Sequence, residues 1–148
     1  MDEELTELLA RLMRAGTITN GDVMMLRDAV WTDESIPEAV VDALFTLNDT
    51  LTSHSTVWTD FFIEAIEYYL VDQCVPQGFV DETCADWLQA RVDKNGRVTS
   101  LTELELLVAI IERAENAPED LRKYTLAQIE NVIISGEGPT RTDELLRP

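Results

Sequence analysis

The chain has 148 residues, and its 29 Asp and Glu against 11 Lys and Arg give a formal charge of -18 and an isoelectric point near 4.1. Such a surface repels nucleic-acid backbones and anionic lipids, so we expect no nucleic-acid or membrane partner and favour a basic or cationic protein. The alternative is that the acidity only keeps the protein dissolved. With 45% hydrophobic residues, the chain is able to bury a sizeable core.

The spacing of the cysteines and the N-terminal residues predict the cellular compartment of the protein. Cys74 and Cys84 show no metal-binding or redox spacing, which predicts reduced thiols in a cytoplasmic protein. The chain begins with acidic residues where a secretory signal needs a basic start, and no stretch is long enough to span a membrane. We therefore expect neither signal-directed export nor membrane insertion.

The first part of the chain predicts three helices. The first has apolar residues at helical spacing, Leu5, Leu8, Leu9 and Leu12, and should end near Gly16. Thr19, with Asp22 three residues on, forms a capping box that opens the second. Ser35 is predicted to cap the third, with Pro37 in its first turn.

An aromatic helix is predicted next, from Thr56 to about Cys74. Its apolar face comprises Phe61, Phe62, Ala65, Ile66, Tyr69 and Leu70. Asp60, Glu64 and Glu67 fall together on the other face. Three carboxylates on a cleft can hold a divalent cation, but a solvated helix face also explains them and is the favoured interpretation.

The second part of the chain predicts three further helices. Asp81 opens one, which ends at the turn 93–96. Ser100 and Glu103 form a full capping box for the next, and the stretch Asn116-Ala117-Pro118-Glu119 caps the last. The residues of the last helix predicted to point inward are Leu121, Leu126, Ile129, Val132 and Ile133.

An internal repeat relates the two parts at a constant offset. Setting residue 22 against residue 103 pairs apolar positions and caps, namely Val23 with Leu104, Leu26 with Leu107, Pro37 with Pro118 and Phe45 with Leu126. The copies cover about 16–53 and 96–134. We therefore predict an all-α, single-domain bundle of about seven helices over 1–134, with the aromatic helix between the copies and a polar tail or linker at 135–148.

Three short phrases resemble degenerate calcium loops. Gly16, Gly78 and Gly96 each precede an apolar residue by two positions, as the loop glycine does. With Gly96 at loop position 6, Arg91 and Thr102 replace the first and last carboxylate ligands. We expect none of the three to bind calcium in the usual way, and interpret the glycines as structural turns.

Two acidic stretches flank turns, Asp33-Glu34-Ser35-Ile36 with Glu38, and Asp93 with Gly96-Arg97-Val98 and Glu103. In these stretches the chain resembles the TerB-like helical proteins of the tellurite-resistance type, although Ser35 replaces the glycine of their Asp-Gly-x-Ile turn. The resemblance implies a divalent-metal-binding or stress-response domain. Its oxygen ligands would come from Asp33, Glu34 and Glu38, or from Asp93 and Glu103. No cofactor other than a divalent cation is expected.

No catalytic arrangement stands out in the sequence. The only histidine, His54, lies in a polar stretch that predicts a loop, and no glycine-rich phosphate loop is present. Trp31, Trp58 and Trp87 are predicted to pack in the core, whereas partial exposure of any of them would indicate a protein-binding groove. We therefore predict a non-enzymatic, acidic helical interaction or regulatory module, with the TerB-like metal-binding domain as the alternative.

Overall fold

The computed structural model describes residues 3–31, 36–72, 80–94, 97–98, 100–114 and 116–131. This part of the chain forms seven α-helices and one two-residue antiparallel strand pairing, which confirms the predicted all-α class. The elements are α1 (Glu3–Ala15), α2 (Asn20–Val30), α3 (Glu38–Thr50), α4 (Thr56–Glu67), a π-helical turn (Tyr68–Asp72), α5 (Glu82–Val92), β1 (Asp93–Lys94), β2 (Arg97–Val98), α6 (Leu101–Arg113) and α7 (Glu119–Glu130). No described helix has the length and hydropathy needed to cross a membrane.

Close packing divides the chain into two compact units, Met1–Tyr69 and Leu70–Pro148. In the first unit, α1 packs against α2 and α3, and α4 also packs against both. In the second, α7 packs against α5 and α6, and α6 contacts β2. The predicted limits of the domain, 1–134, stay a prediction, and the tail at 135–148 lies outside the described residues.

The core of the first unit is built around the aromatic helix α4. Trp58, Phe61 and Phe62 are buried, and the rings of Phe62 and Phe45 meet edge to face at 5.2 Å. The indole N–H of Trp58 donates a 3.0 Å hydrogen bond to Oδ1 of Asn48, which is also buried. The buried indole N–H of Trp58 therefore has an acceptor inside the core.

The aromatic helix changes geometry near its end. The regular α-helix stops at Glu67, and the next five residues form the π-helical turn, whereas the sequence predicts a uniform helix to about Cys74. Cys74 itself lies outside the described residues. A π turn holds one more residue than an α turn, so it rotates the residues that follow and still leaves Leu70 and Val71 buried.

The turn after α1 depends on Gly16. Its φ of 70° is in the left-handed region, and its N–H donates to the carbonyl of Leu12 at 3.0 Å. Its own carbonyl accepts the N–H of Thr52 at 3.0 Å, which ties this turn to the loop after α3. The structural interpretation is thus confirmed for Gly16, whereas Gly78 and Gly96 lie outside the described residues.

Side-chain caps were predicted at Thr19, Asp81 and Ser100, and the first two form as expected. Thr19 and Asp22 exchange both hydrogen bonds of a capping box, and Asp81 accepts the N–H three residues on. At α6 the full box predicted for Ser100 and Glu103 is wrong, because only the serine makes its bond. The carboxylate of Glu103 is instead buried in the second unit.

Helices α3 and α7 start at prolines. Pro37 and Pro118 occupy the N-cap positions without side-chain hydrogen bonds. Placing Pro37 in the first turn was therefore wrong, whereas Pro118 lies within the stretch 116–119 that was predicted to cap the last helix. Both prolines have an extended ψ, 149° and 142°, so helical geometry begins only at the residue that follows each of them. Ser35 lies outside the described residues.

The internal repeat extends to the helix starts. α2 starts at Asn20 and α6 at Leu101, a difference of 81 residues, and the same difference separates the starts of α3 at Glu38 and α7 at Glu119. The two copies diverge on α7, where Leu126 is 58% exposed although it is predicted to point inward. The buried residues of α7 are Leu121, Thr125 and Gln128.

The buried glutamine explains the orientation of α7. Oε1 of Gln128 accepts the N–H of Val98 at 2.9 Å, which satisfies a backbone donor of β2. This bond places Gln128 inside, and Leu126, two residues earlier on the helix, faces outward. Ile129 is partly buried, and Val132 and Ile133 lie outside the described residues.

Candidate interaction site

The three tryptophans comprise one core residue and two partly exposed ones. Trp58 has 0% exposure, so its predicted place in the core is confirmed. Trp87 is partly exposed, but the guanidinium carbon of Arg91 lies 3.8 Å from its ring centroid and covers that face. Trp31 is also partly exposed and borders a groove, which makes it the stronger candidate.

The groove lies at the end of α2, where Trp31 is the C-cap residue. It has a volume of about 320 Å³ and is lined by Arg27, Asp28, Trp31 and Glu64. Tyr68, the first residue after α4, packs edge to face on Trp31 with ring centroids 5.0 Å apart and planes at 79°. We name the surface formed by these five residues the Trp31 groove.

Two pairs of residues spaced by four build this groove. Arg27 and Trp31 lie on one side of it, and Glu64 and Tyr68 lie on the other. Nη2 of Arg27 donates to Oε1 of Glu64 at 3.0 Å, with both side chains about half exposed. The charged groups of Arg27 and Glu64 are therefore in contact, and one helical turn further along the rings of Trp31 and Tyr68 are in contact.

The indole N–H of Trp31 differs from that of Trp58. Nε1 of Trp31 is buried, and the described residues give it no hydrogen-bond acceptor. A buried donor without an acceptor costs about 1–3 kcal/mol.

The chemistry of the Trp31 groove suits a basic side chain. Asp28 is exposed and Glu64 half exposed, so two carboxylates lie beside an aromatic ring. Carboxylates and aromatic faces both attract guanidinium and ammonium groups. The ion pair of Arg27 with Glu64 is an example of this preference within the chain.

The three acidic residues predicted to share one face of α4 differ in exposure and in partners in the structure. Glu64 forms the ion pair with Arg27, whereas Asp60 is exposed and Glu67 is partly buried. The described residues contain no group of three or more His, Cys, Asp or Glu placed to hold a metal ion. The three carboxylates therefore do not form a cation site, and the solvated-face interpretation describes Asp60.

A second polar cluster lies in the second unit. The O–H of Tyr124 donates to Oδ1 of Asp93 at 2.8 Å, and the buried Glu103 contributes negative charge to the same place. Burial raises the pKa of Tyr124 most, and the hydrogen bond to Asp93 and the charges of Asp93 and Glu103 raise it further.

The metal candidates taken from the sequence are therefore only partly brought together. Asp93 and Glu103 both act on the hydroxyl of Tyr124. Glu38 is exposed in the first turn of α3, in the other unit, and Asp33 and Glu34 lie outside the described residues.

Three further residues were considered for chemistry in the sequence: His54, Cys74 and Cys84. His54 is exposed on the predicted loop between α3 and α4, and its Nε2 lies 2.8 Å from the carbonyl of Asn48. Cys84 is partly exposed, and its predicted reduced state stays a prediction. Cys74 lies outside the described residues.

The sequence pointed to Trp31 but not to its neighbours. Glu64 was singled out only as part of the acidic face of α4, and Arg27 and Tyr68 escaped notice because a tertiary contact brings them to Trp31. The available signal was the matching spacing of four on two helices, a charge followed by a ring in each case.

Comparisons with known proteins give no match: no family model, no curated protein and no solved structure matches this chain. The TerB-like resemblance therefore stays a prediction.

Proposed function

We propose that this protein is a non-enzymatic, acidic helical interaction module of the cytoplasm that binds a basic segment of another protein. The supporting observation is the Trp31 groove, where carboxylates lie beside a partly exposed tryptophan. Partly exposed tryptophans with polar surroundings are typical centres of binding energy in interfaces.

The charge of the whole chain supports a basic partner. A net charge of -18 attracts cationic segments over distances longer than direct contacts and speeds their association. The groove then supplies the specific contacts, with a basic side chain beside Asp28 and Glu64 and against Trp31.

A panel of peptides rich in lysine and arginine tests the proposal by isothermal titration. We expect Trp31→Leu to weaken binding about tenfold or more, and Glu64→Gln to weaken it a few-fold. Glu112→Gln is the matched control, because it removes the same charge from an exposed residue of α6. Equal binding by Trp31→Leu and the parent protein would contradict a role for the groove.

The TerB-like divalent-metal domain is the second candidate. It is supported by Asp93 and Glu103 acting together on Tyr124. It ranks second because calcium needs about six to eight oxygen ligands and the cluster offers two carboxylates. Thermal melting with millimolar calcium, magnesium, manganese or zinc tests it, since an ion bound only by the folded state raises the melting temperature. A rise that Asp93→Asn abolishes would support it, and a flat response to all four would exclude it.

A further inference from the structure

The carboxylate in the Trp31 groove is already bound by a basic side chain of the groove itself. Nη2 of Arg27, on α2, donates to Oε1 of Glu64, on α4, at 3.0 Å. The proposed function requires the same carboxylate for a basic side chain of the partner. Arg27 and the partner's side chain therefore compete for one group.

The existing ion pair is exposed and singly bonded. The side chains of Arg27 and Glu64 are 44% and 45% exposed, and pairs at such exposure contribute little because water solvates the separated charges nearly as well. In the described part of the chain, Oε1 of Glu64 accepts one hydrogen bond and Oε2 accepts none. A carboxylate can accept two parallel bonds from one guanidinium, so an arginine that approaches in that geometry can replace Arg27.

Another helix shows how arginine contacts tryptophan in this protein. On α5 the guanidinium carbon of Arg91 lies 3.8 Å from the ring centroid of Trp87. Arg27 is also four residues from a tryptophan, but its guanidinium contacts Glu64, and among the described residues none lies over the ring of Trp31. The groove, lined by both Trp31 and Glu64, thus presents an aromatic ring and a carboxylate to one guanidinium.

We propose that Arg27 is an internal substitute for an arginine of the partner, whose guanidinium replaces it on Glu64 and lies against Trp31. This proposal rests on the proposed function. Arginine is favoured over lysine because a planar guanidinium can bond a carboxylate twice and stack on a ring, whereas an ammonium group is a compact point charge. A basic segment without a suitably placed arginine does not displace Arg27, so the internal ion pair makes the groove selective.

Isothermal titration of hexa-arginine in about 0.15 M salt measures the competition. Arg27→Gln removes the internal competitor, so it should strengthen hexa-arginine binding about two- to fivefold, the range expected for an exposed ion pair. The substitution also changes the net charge from -18 to -19, which strengthens attraction generally. Arg122→Gln makes the same change at an exposed residue of α7 and is the matched control, which should strengthen binding less than Arg27→Gln does.

The same comparison in a Glu64→Gln background separates competition from repulsion between Arg27 and the peptide. If Arg27 acts by occupying Glu64, Arg27→Gln should have no larger effect than Arg122→Gln in that background. Local repulsion instead predicts the same strengthening with and without the Glu64 carboxylate. Circular dichroism and thermal melting establish that each variant is folded.

Hexa-lysine tests the choice of side chain, because it carries the same charge as hexa-arginine at neutral pH. Hexa-arginine should bind the parent protein at least about threefold more tightly than hexa-lysine does. This preference should shrink in both Glu64→Gln and Trp31→Leu. Equal affinities of the two peptides for the parent protein would overturn the assignment of arginine.

The outcomes distinguish this proposal from the proposed function. Suppose that Trp31→Leu weakens binding but Arg27→Gln strengthens it no more than Arg122→Gln, or equally in both backgrounds. Displacement would then be overturned, and the function of binding a basic partner would stand. Hexa-arginine binding to Arg27→Gln but not to the parent protein would support displacement. No binding to either protein, or equal binding by Trp31→Leu and the parent protein, would overturn both proposals.

Discussion

Asn48 accepts the indole hydrogen bond of Trp58 at 3.0 Å, and both residues are almost completely buried, with exposures of 1% and 0%. This contact joins α3 to α4 through the core of the first unit. Because the alternative is an unsatisfied donor in an apolar surrounding, the bond favours one arrangement of the two helices.

We expect Asn48→Leu to destabilise the protein by about 1–3 kcal/mol, because it leaves the N–H of Trp58 without its acceptor. The free energy of unfolding in urea measures the loss. Trp58→Phe and the double variant complete the cycle. If the hydrogen bond matters, the double variant should lose less than the sum of the two single losses, whereas strict additivity would assign the losses to packing alone.

Phe45 and Leu126 occupy equivalent positions in the repeat but differ in burial. Phe45 is 5% exposed and packs on Phe62, whereas Leu126 is 58% exposed. We expect Phe45→Ala to cost about 3–5 kcal/mol and Leu126→Ala less than about 0.5 kcal/mol in urea unfolding. Comparable losses would mean that Leu126 is buried in solution.

Leu126 also shows which features of the fold can be predicted from the sequence and which cannot. Apolar spacing and the caps at Thr19 and Asp81 predict helices because these signals act within about four residues. The inward prediction for Leu126 fails because a contact 30 residues away, from Val98 to Gln128, sets the orientation of α7.

The candidate site shows the same difference between local signals, which the sequence reveals, and contacts between distant residues, which it does not. Trp31 is recognisable from the sequence as an interaction candidate, but the ion pair that lines its groove joins residues 37 apart, Arg27 and Glu64. Likewise Glu103 looks like a local cap, yet its carboxylate is buried in the second unit. Such contacts depend on how helices pack, and no short motif encodes them.

Asp22 makes the stability of the first unit depend on acidity. The hydrogen bond from the backbone N–H of Thr19 and the contact with Arg11 lower the pKa of Asp22 below its usual 3.8, with burial opposing them. A depressed folded-state pKa stabilises the fold above pH 3.8 and loses this contribution as the pH falls through the lower, folded-state value.

We therefore expect the free energy of unfolding of Asp22→Asn to fall less steeply than that of the parent protein as the pH decreases below about 4, so that the acid limb of the stability curve is flatter. Urea unfolding at a series of pH values measures it. Asp60→Asn on the exposed face of α4 is the control and should leave that limb in place. An acid limb identical in Asp22→Asn and the parent protein would contradict the assignment.

Two glycines should respond in opposite directions to alanine. Gly16 has a φ of 70°, so Gly16→Ala should destabilise by about 1 kcal/mol even though an added Cβ meets no atom within 4 Å. Gly21 is inside α2, where an added Cβ meets only Oγ1 of Thr19 at 3.7 Å, so Gly21→Ala should stabilise by about 0.5–1 kcal/mol. Thermal melts of both variants test the pair, and a shift in the same direction would refute the backbone explanation.

Tyr124 gives the second unit a dependence on alkaline pH. Because its pKa is raised from the usual 10.0 in the folded state, its contribution to stability is complete below pH 10 and is lost as the pH rises towards the folded-state value. We expect Tyr124→Phe to flatten the alkaline limb of the stability curve and to remove a phenol that ionises late in an ultraviolet titration. Tyr69→Phe is the control and should retain that late ionisation. A titration in which Tyr124→Phe keeps the late phenol would show that the hydrogen bond to Asp93 does not hold the proton.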